Sequence, residues 1–276
     1  VEILTGWGLR VEPAPHVRDR HPTLPYLAGQ DRDRAMDLQQ AWCDPDVRAV
    51  FCVRGGDGAH RMLDLLDFDA MRRVEPKALI GFSDITALHE AFAIELGVAT
   101  LHGPVVGTRY FVGDETAQRE LYTTLFAPEE RMLLTSPGAH GLVPGRAEGV
   151  LFGGNLSLLN DGLATPHSRL SAAGGILLLE DVNEDAARID RMLTHLLRTG
   201  WMNGVAGVAI GTWSDCPPDP GAIAELMRDR LGALGGPVLW GLEFGHCAAQ
   251  LTLPLGVAAM LDTERGSLEL AVPALM

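Results

Sequence analysis

Residues 78–88 read Ala78-Leu79-Ile80-Gly81-Phe82-Ser83-Asp84-Ile85-Thr86-Ala87-Leu88, and this run decides the fold class. Up to Phe82 it is apolar without interruption, as a strand buried inside a parallel sheet must be. Beyond Ser83 the apolar residues fall at Ile85, Leu88, Phe92 and Leu96, which is helical spacing. A buried strand that passes directly into a helix is the repeating unit of an α/β fold.

The same alternation extends in both directions. Upstream, Val47–Val53 reads as a buried strand ending in Arg54-Gly55-Gly56-Asp57-Gly58, and a helical stretch with Met62, Leu63 and Leu66 on one face follows. Downstream, Val98–Leu101 is a short strand stopped by His102-Gly103-Pro104. The run 136–149 holds two prolines and four glycines and reads as a linker. Beyond it come strands at 150–152 and 176–179, then a helix with Ile189, Met192, Leu193, Leu196 and Leu197 as an apolar stripe. Strands are expected at 205–210 and 238–240, and a closing pair at 257–261 and 268–272. The reading is two α/β domains with a boundary near residue 145. Val1–Val11 reads as a helix end followed by a strand, and a strand ahead of Val1 is expected to be missing from the sequence.

Composition narrows the function classes. The 276 residues carry 36 acids against 22 bases, a net charge of −14, and Lys77 is the single lysine. Such a chain has no general attraction for phosphate backbones, so nucleic acid is not an expected partner. No run approaches the roughly 18–20 apolar residues of a membrane span, and no signal peptide is recognisable. Cys43, Cys52, Cys216 and Cys247 lack metal-type or redox-type spacing and read as free thiols of a reducing cytoplasm. No histidine or cysteine pair is spaced for a metal.

Three places can carry chemistry. Ser83 lies between strand and helix, at the sheet edge where ligands bind in open α/β folds. A sharp turn there would expose its hydroxyl and free the N–H of Asp84 for an oxyanion, yet a serine at that point can equally be a helix N-cap. The glycines at 55, 56 and 58 permit close backbone approach to an anion, or simply a tight turn, and the lysine and hydroxyl of a phosphate loop are absent. Glu180 is the first polar residue after an apolar strand, suited to orienting a histidine, while Asp181, Glu184 and Asp185 read as partners of a helix start. His246, in Gly245-His246-Cys247, is either a general base or a satisfied surface group.

Taken in order, these pieces resemble the LD-carboxypeptidase family of serine peptidases, which includes the microcin C immunity peptidases. The resemblance runs from Tyr26-Leu27-Ala28-Gly29 through Arg54-Gly55-Gly56, Gly81-Phe82-Ser83-Asp84, His102-Gly103-Pro104, Gly153-Gly154-Asn155, Leu179-Glu180-Asp181, Arg188–Leu193 and Gly245-His246 to Pro254-Leu255-Gly256. It implies a triad of Ser83 as nucleophile, Glu180 as strand-end carboxylate and His246 as base, with an oxyanion hole from the amides of Gly56 and Asp84. It implies a flavodoxin-like or glutamine-amidotransferase-like parallel-sheet domain over 1–140 and a smaller, β-rich α/β domain over 141–276, with the triad closing between them. It further implies a cytoplasmic homodimer without metal or cofactor, which releases the terminal D-alanine of a muropeptide at an L,D bond. Arg54 is the candidate for holding the substrate carboxylate, or else part of a structural ion pair.

The sequence departs from the family in having no Pro-x-Ser strand before Val1 and in placing Asp57 after the glycine pair. No aromatic-rich insertion of the microcin branch is evident between Gly107 and Gly149, which favours the murein branch. Two rival readings stand beside it: a microcin-type peptidase, for which Trp213 would have to stack an adenine, and a non-catalytic α/β binding protein.

Overall fold

The computed structural model describes residues 1–275 and has two sheets. In chain order the strands are β1 (Ala49–Phe51), β2 (Ala78–Gly81), β3 (Thr100–His102), β4 (Leu133–Thr135), β5 (His140–Val143) and β6 (Arg146–Asn155). They continue as β7 (Gly175–Val182), β8 (Gly207–Ser214), β9 (Val238–Trp240), β10 (Leu253–Leu255), β11 (Ala258–Asp262) and β12 (Ser267–Leu270).

The first sheet has the order β1-β2-β3-β10, parallel except for the antiparallel return of β10. Alternation along β2 explains why it is apolar throughout. Leu79 joins a core with Trp42, Met71 and Phe92, whereas Ile80 joins Leu4, Leu101, Phe111 and Leu121 on the other face. At the sheet edge β1 is shorter than the sequence suggests, and its three residues are only half-buried because one flank has no neighbouring strand. No strand forms at Leu9–Val11; Leu9 and Val11 pack against the Ile80 side as irregular chain after the helix Glu2–Gly6.

The second sheet has the order β4-β12-β11-β6-β7-β8-β9-β5, with a parallel centre β6–β9 and antiparallel flanks. Its faces also alternate. Leu177 and Leu179 point into a core with Ile189, Leu193 and Leu196 of the helix Ala186–Arg198, and Ile176 and Leu178 into one with Leu239, Leu261 and Leu268. The closing pair appears as antiparallel β11–β12. The run 136–149 is not a linker: β5 pairs with β9 through a register shift, and Arg146–Gly149 pair with β11. Its prolines and glycines serve the turns between edge strands, the same composition a linker would have.

The protein is therefore a mixed α/β molecule of two domains. They are joined intimately, since β10 completes the first sheet while Leu253 and Leu255 lie in the second sheet's core. The helix Thr86–Ala91 that follows Ser83 packs on β6 and on the helix Leu156–Gly162. This brings the C-terminal ends of β2, β6 and β7 to one place.

Candidate active site

The turn after β2 is unusual. Phe82 is extended, and Ser83 then adopts φ +67° before the 3₁₀ turn Ser83–Ile85 opens the helix. A side chain in this left-handed region costs on the order of 1–3 kcal/mol and persists only where the surroundings enforce it. Gly55 leaves room for this turn: a β-carbon there would sit 2.9 Å from Ser83 Cβ and 3.1 Å from its Oγ. The N-cap of the turn is Phe82, without a side-chain capping bond, so Ser83 is not a cap. Its hydroxyl instead lies 3.1 Å from His246 Nε2.

His246 reaches this position from the loop after β9. Its Nδ1 is 2.7 Å from Glu180 Oε2, its backbone carbonyl accepts from Ser214 Oγ at 2.5 Å, and Phe82 and Tyr110 meet its ring edge-on at 4.8 and 6.2 Å. Glu180 is fully buried near the end of β7. Its second oxygen, Oε1, accepts from Asn155 Nδ2 at 3.2 Å, and Asn155 stands opposite it in the β6–β7 register. Asn155 Nδ2 also reaches Asp181 Oδ1 at 2.9 Å, and Asp181 Oδ2 accepts the Ser157 N–H at 2.9 Å. The carboxylates are thus held by a buried network that begins one strand away.

The electrostatics suit proton transfer. Burial alone would lower the His246 pKa, but the Glu180 charge, its hydrogen bond and the Asp181 charge outweigh it and raise the value above 6.5. Two further histidines lie behind the site: burial pushes His89 down to about 3 and His102 down to about 4, so both are neutral imidazoles. A serine hydroxyl, an imidazole and a buried carboxylate in hydrogen-bonded line can deliver the serine proton to the ring and stabilise the cation formed.

Other predicted residues fall as follows. Arg54 is exposed and forms no ion pair among the described residues; Nη2 donates to Tyr26 C=O at 3.1 Å and Nε to Gly55 C=O at 3.3 Å. Gly56, at φ +96°, lies directly against that guanidinium. Asp84 is buried beside Ser83, and Asp57 is exposed. Trp213 is a core residue packed among Leu179, Ile210 and Ile223, so it offers no stacking surface. All four cysteines are free. The groups sequence reasoning missed are Asn155, Ser214, Tyr110 and the partnering of Asp181. The only available signal was Gly153-Gly154-Asn155 at a strand end. Away from Ser83, Glu180 and His246, the residues His16, Asp19 and Asp33 offer ligand atoms within 4.8 Å of one another, though His16 Nδ1 already engages Asp37 Oδ1 at 2.8 Å.

An α/β protein that aligns Ser, His and Glu across two domains has the make-up of a serine hydrolase. Comparison narrows the class: the sequence matches the LD-carboxypeptidase N-terminal domain over residues 1–103 and the LD-carboxypeptidase C-terminal domain over 148–261. The chain belongs to the LD-carboxypeptidase family of serine-type peptidases. It is 56% identical to a Streptomyces coelicolor protein named as a carboxypeptidase, over 100% of this chain and 88% of the relative. It is also 35% identical to the murein tetrapeptide carboxypeptidase of Pseudomonas aeruginosa, over 91% of this chain and 83% of that one. Among solved structures, the muramoyltetrapeptide carboxypeptidase of Oxalobacter formigenes superposes with a TM-score of 0.73 at 28% identity, over 92% of this chain and 86% of that one. An MccF-like protein of Bacillus anthracis shares the fold at a TM-score of 0.86 and 24% identity, covering 98% of this chain and 89% of that chain.

Proposed function

We propose that the protein hydrolyses the L,D-peptide bond before the terminal D-alanine of a cell-wall tetrapeptide, through an acyl-enzyme on Ser83. The observation that carries this reading is the hydrogen-bonded line from Ser83 Oγ through His246 to Glu180. The relatives named for murein and muramoyl tetrapeptides supply the substrate class.

In the mechanism, His246 Nε2 takes the Ser83 proton as Oγ attacks the penultimate carbonyl carbon. Glu180 holds the Nδ1–H tautomer and stabilises the imidazolium. The oxyanion rests on the amides of Gly56 and Asp84, each such donor typically worth about 3–4 kcal/mol. His246 then protonates the departing D-alanine amine, and a water activated by the same ring releases the acyl group. Arg54, whose exposed guanidinium donates to the backbone carbonyls of Tyr26 and Gly55, holds the substrate carboxylate. The division into residues 1–140 and 141–276 belongs to the same reading, with the nucleophile in one part and its base and carboxylate in the other. So, from the family resemblance, does a cytoplasmic homodimer, which light scattering would check.

The test is turnover of L-Ala-γ-D-Glu-diaminopimelate-D-Ala, followed as the mass loss of one alanine. Ser83→Ala is expected to lower kcat by about a thousandfold or more, and a variant that retains wild-type turnover in clean preparations overturns the scheme. A microcin-type reading has one observation in its favour: half-buried Tyr110 stands edge-on to His246 and can offer a ring to a base. Parallel assay of an aminoacyl-sulfamoyl adenylate separates the two substrates.

A further inference from the structure

The proposed oxyanion donors come from two separate segments, the Asp84 amide on the nucleophile turn and the Gly56 amide on the loop 54–58. That loop contains three glycines, with φ +96° at Gly56 and +103° at Gly58, and such backbone has no preference of its own for one geometry. Catalytic donors must be held to within about 0.5 Å, so something outside the loop has to fix it.

One peptide unit of the loop is gripped at both ends. The Gly58 carbonyl accepts from Arg34 Nη1 at 3.0 Å, and the N–H of the same peptide, carried by Ala59, donates to Asp84 Oδ2 at 2.9 Å. A peptide is rigid and planar, so bonds to its C=O and N–H from opposite directions fix its rotation. Arg34 is itself anchored through Nη2 to Asp31, whose carboxylate also accepts from Arg61 Nη2 at 2.7 Å. Asp84 is buried, as is Ala59. Gly55, at the other end of the loop, is in contact with Ser83.

We propose that the Asp84 side chain, opposed by Arg34, is a positioning residue that clamps the Gly58–Ala59 peptide and so sets the spacing between the glycine-loop amide and the nucleophile turn. Residue 84 then serves twice: its amide contributes to the oxyanion site, and its carboxylate registers the other donor against it. The side chain's hydrogen bond runs to the Ala59 N–H of the loop, so it acts through the loop. Keeping a carboxylate in that buried position requires both the amide donor and nearby cations, and the charges around it are Arg34, Arg54 and Asp57.

This inference rests on the oxyanion reading above, and its test is built to fail separately. With the tetrapeptide assay on the full chain, Asp84→Ala is expected to lower kcat about tenfold or more with KM within about twofold, since the loss falls on a transition-state contact. Asp84→Asn, whose amide oxygen can still accept from Ala59, is expected to recover most of that kcat. Arg34→Met releases the same peptide from the other side and is expected to lower kcat likewise, and the double variant Arg34→Met/Asp84→Ala to fall no further than the worse single one. Folding of each variant is checked by circular dichroism and thermal melting. A folded Asp84→Ala or Arg34→Met enzyme with wild-type kcat overturns the clamp, as does an Asp84→Asn variant as damaged as Asp84→Ala. Wild-type turnover by Ser83→Ala overturns the functional reading instead.

Discussion

A β-carbon added at Gly245 would lie 2.5 Å from Glu180 Oε2 and 2.7 Å from its Cγ, and the residue has φ +93°. Both facts bear on His246, the next residue. Gly245→Ala is expected to push the glutamate off the imidazole and lower kcat by about a hundredfold, the scale of a 1 Å misplacement; steady-state kinetics beside a melting curve will separate this from unfolding. The pH profile tests the same pair. Because the His246 pKa is raised above 6.5, the neutral base is formed only above that pH, and the acid limb of kcat/KM is expected there. Glu180→Gln removes the charge that raises it, so the limb should move to lower pH in the residual activity. His89 and His102, pushed to about 3 and about 4, are already neutral across this range and cannot produce that limb. At this scale strand-end position marked Ser83 and Glu180 as candidates, and the resemblance to the LD-carboxypeptidase family joined His246 to them. Asn155 had no role there beyond its place in Gly153-Gly154-Asn155 and Ser214 none at all, because an asparagine at a strand end and a serine late in β8 gain a role from the atoms placed opposite them.

Among the elements, the helix Ala186–Arg198 was the most legible. Its apolar residues recur every third and fourth position, and Ile189, Leu193 and Leu196 are all fully buried against β7 and β8. Leu193→Ala is expected to cost about 2–5 kcal/mol, read from urea unfolding, because no neighbour can easily fill the space. The least legible elements were those at sheet edges. Four residues of β5 are woven into a segment whose prolines and glycines resemble a linker, and β1 is cut to three residues. Edge strands bury only part of their surface, so their patterning is weak. The stretch Val1–Val11 read as a helix end followed by a strand, but a strand exists only where another chain segment offers its hydrogen bonds.

For the whole molecule, the buried carboxyls set a dependence of stability on pH. Burial raises Asp84 to about 6, against the pull of the Ala59 N–H, and burial with the Glu180 charge raises Asp181 to about 6. In both cases the folded protein keeps a proton that the unfolded chain has released above its ordinary carboxyl pKa. His89 and His102 are held neutral while the unfolded chain takes up protons below 6.5, so they contribute stability that grows from about pH 4 to about 6. Against them, these two carboxyls contribute stability that is lost over the same range. Asp31, Asp114 and Asp262 have lowered values and act in the opposite sense, but only below about 4. Denaturant titrations of the parent protein and of Asp181→Asn at pH 4, 5, 6 and 7 isolate one contribution: the variant's stability relative to the parent is expected to rise between pH 4 and 6. The sequence by itself determined the α/β class and the strand-to-helix turn at Ser83, since periodicity is a local property of the chain, while the grouping of Ser83, Glu180 and His246 came from the resemblance of ordered motifs to the LD-carboxypeptidase family. Only the tertiary structure decided that Ser83 is not a cap, that Trp213 is core, that Arg54 has no acidic partner among the described residues and that Asp84 and Arg34 share one peptide. Each of these depends on which distant segment supplies the neighbouring atom, and local patterning carries no record of that.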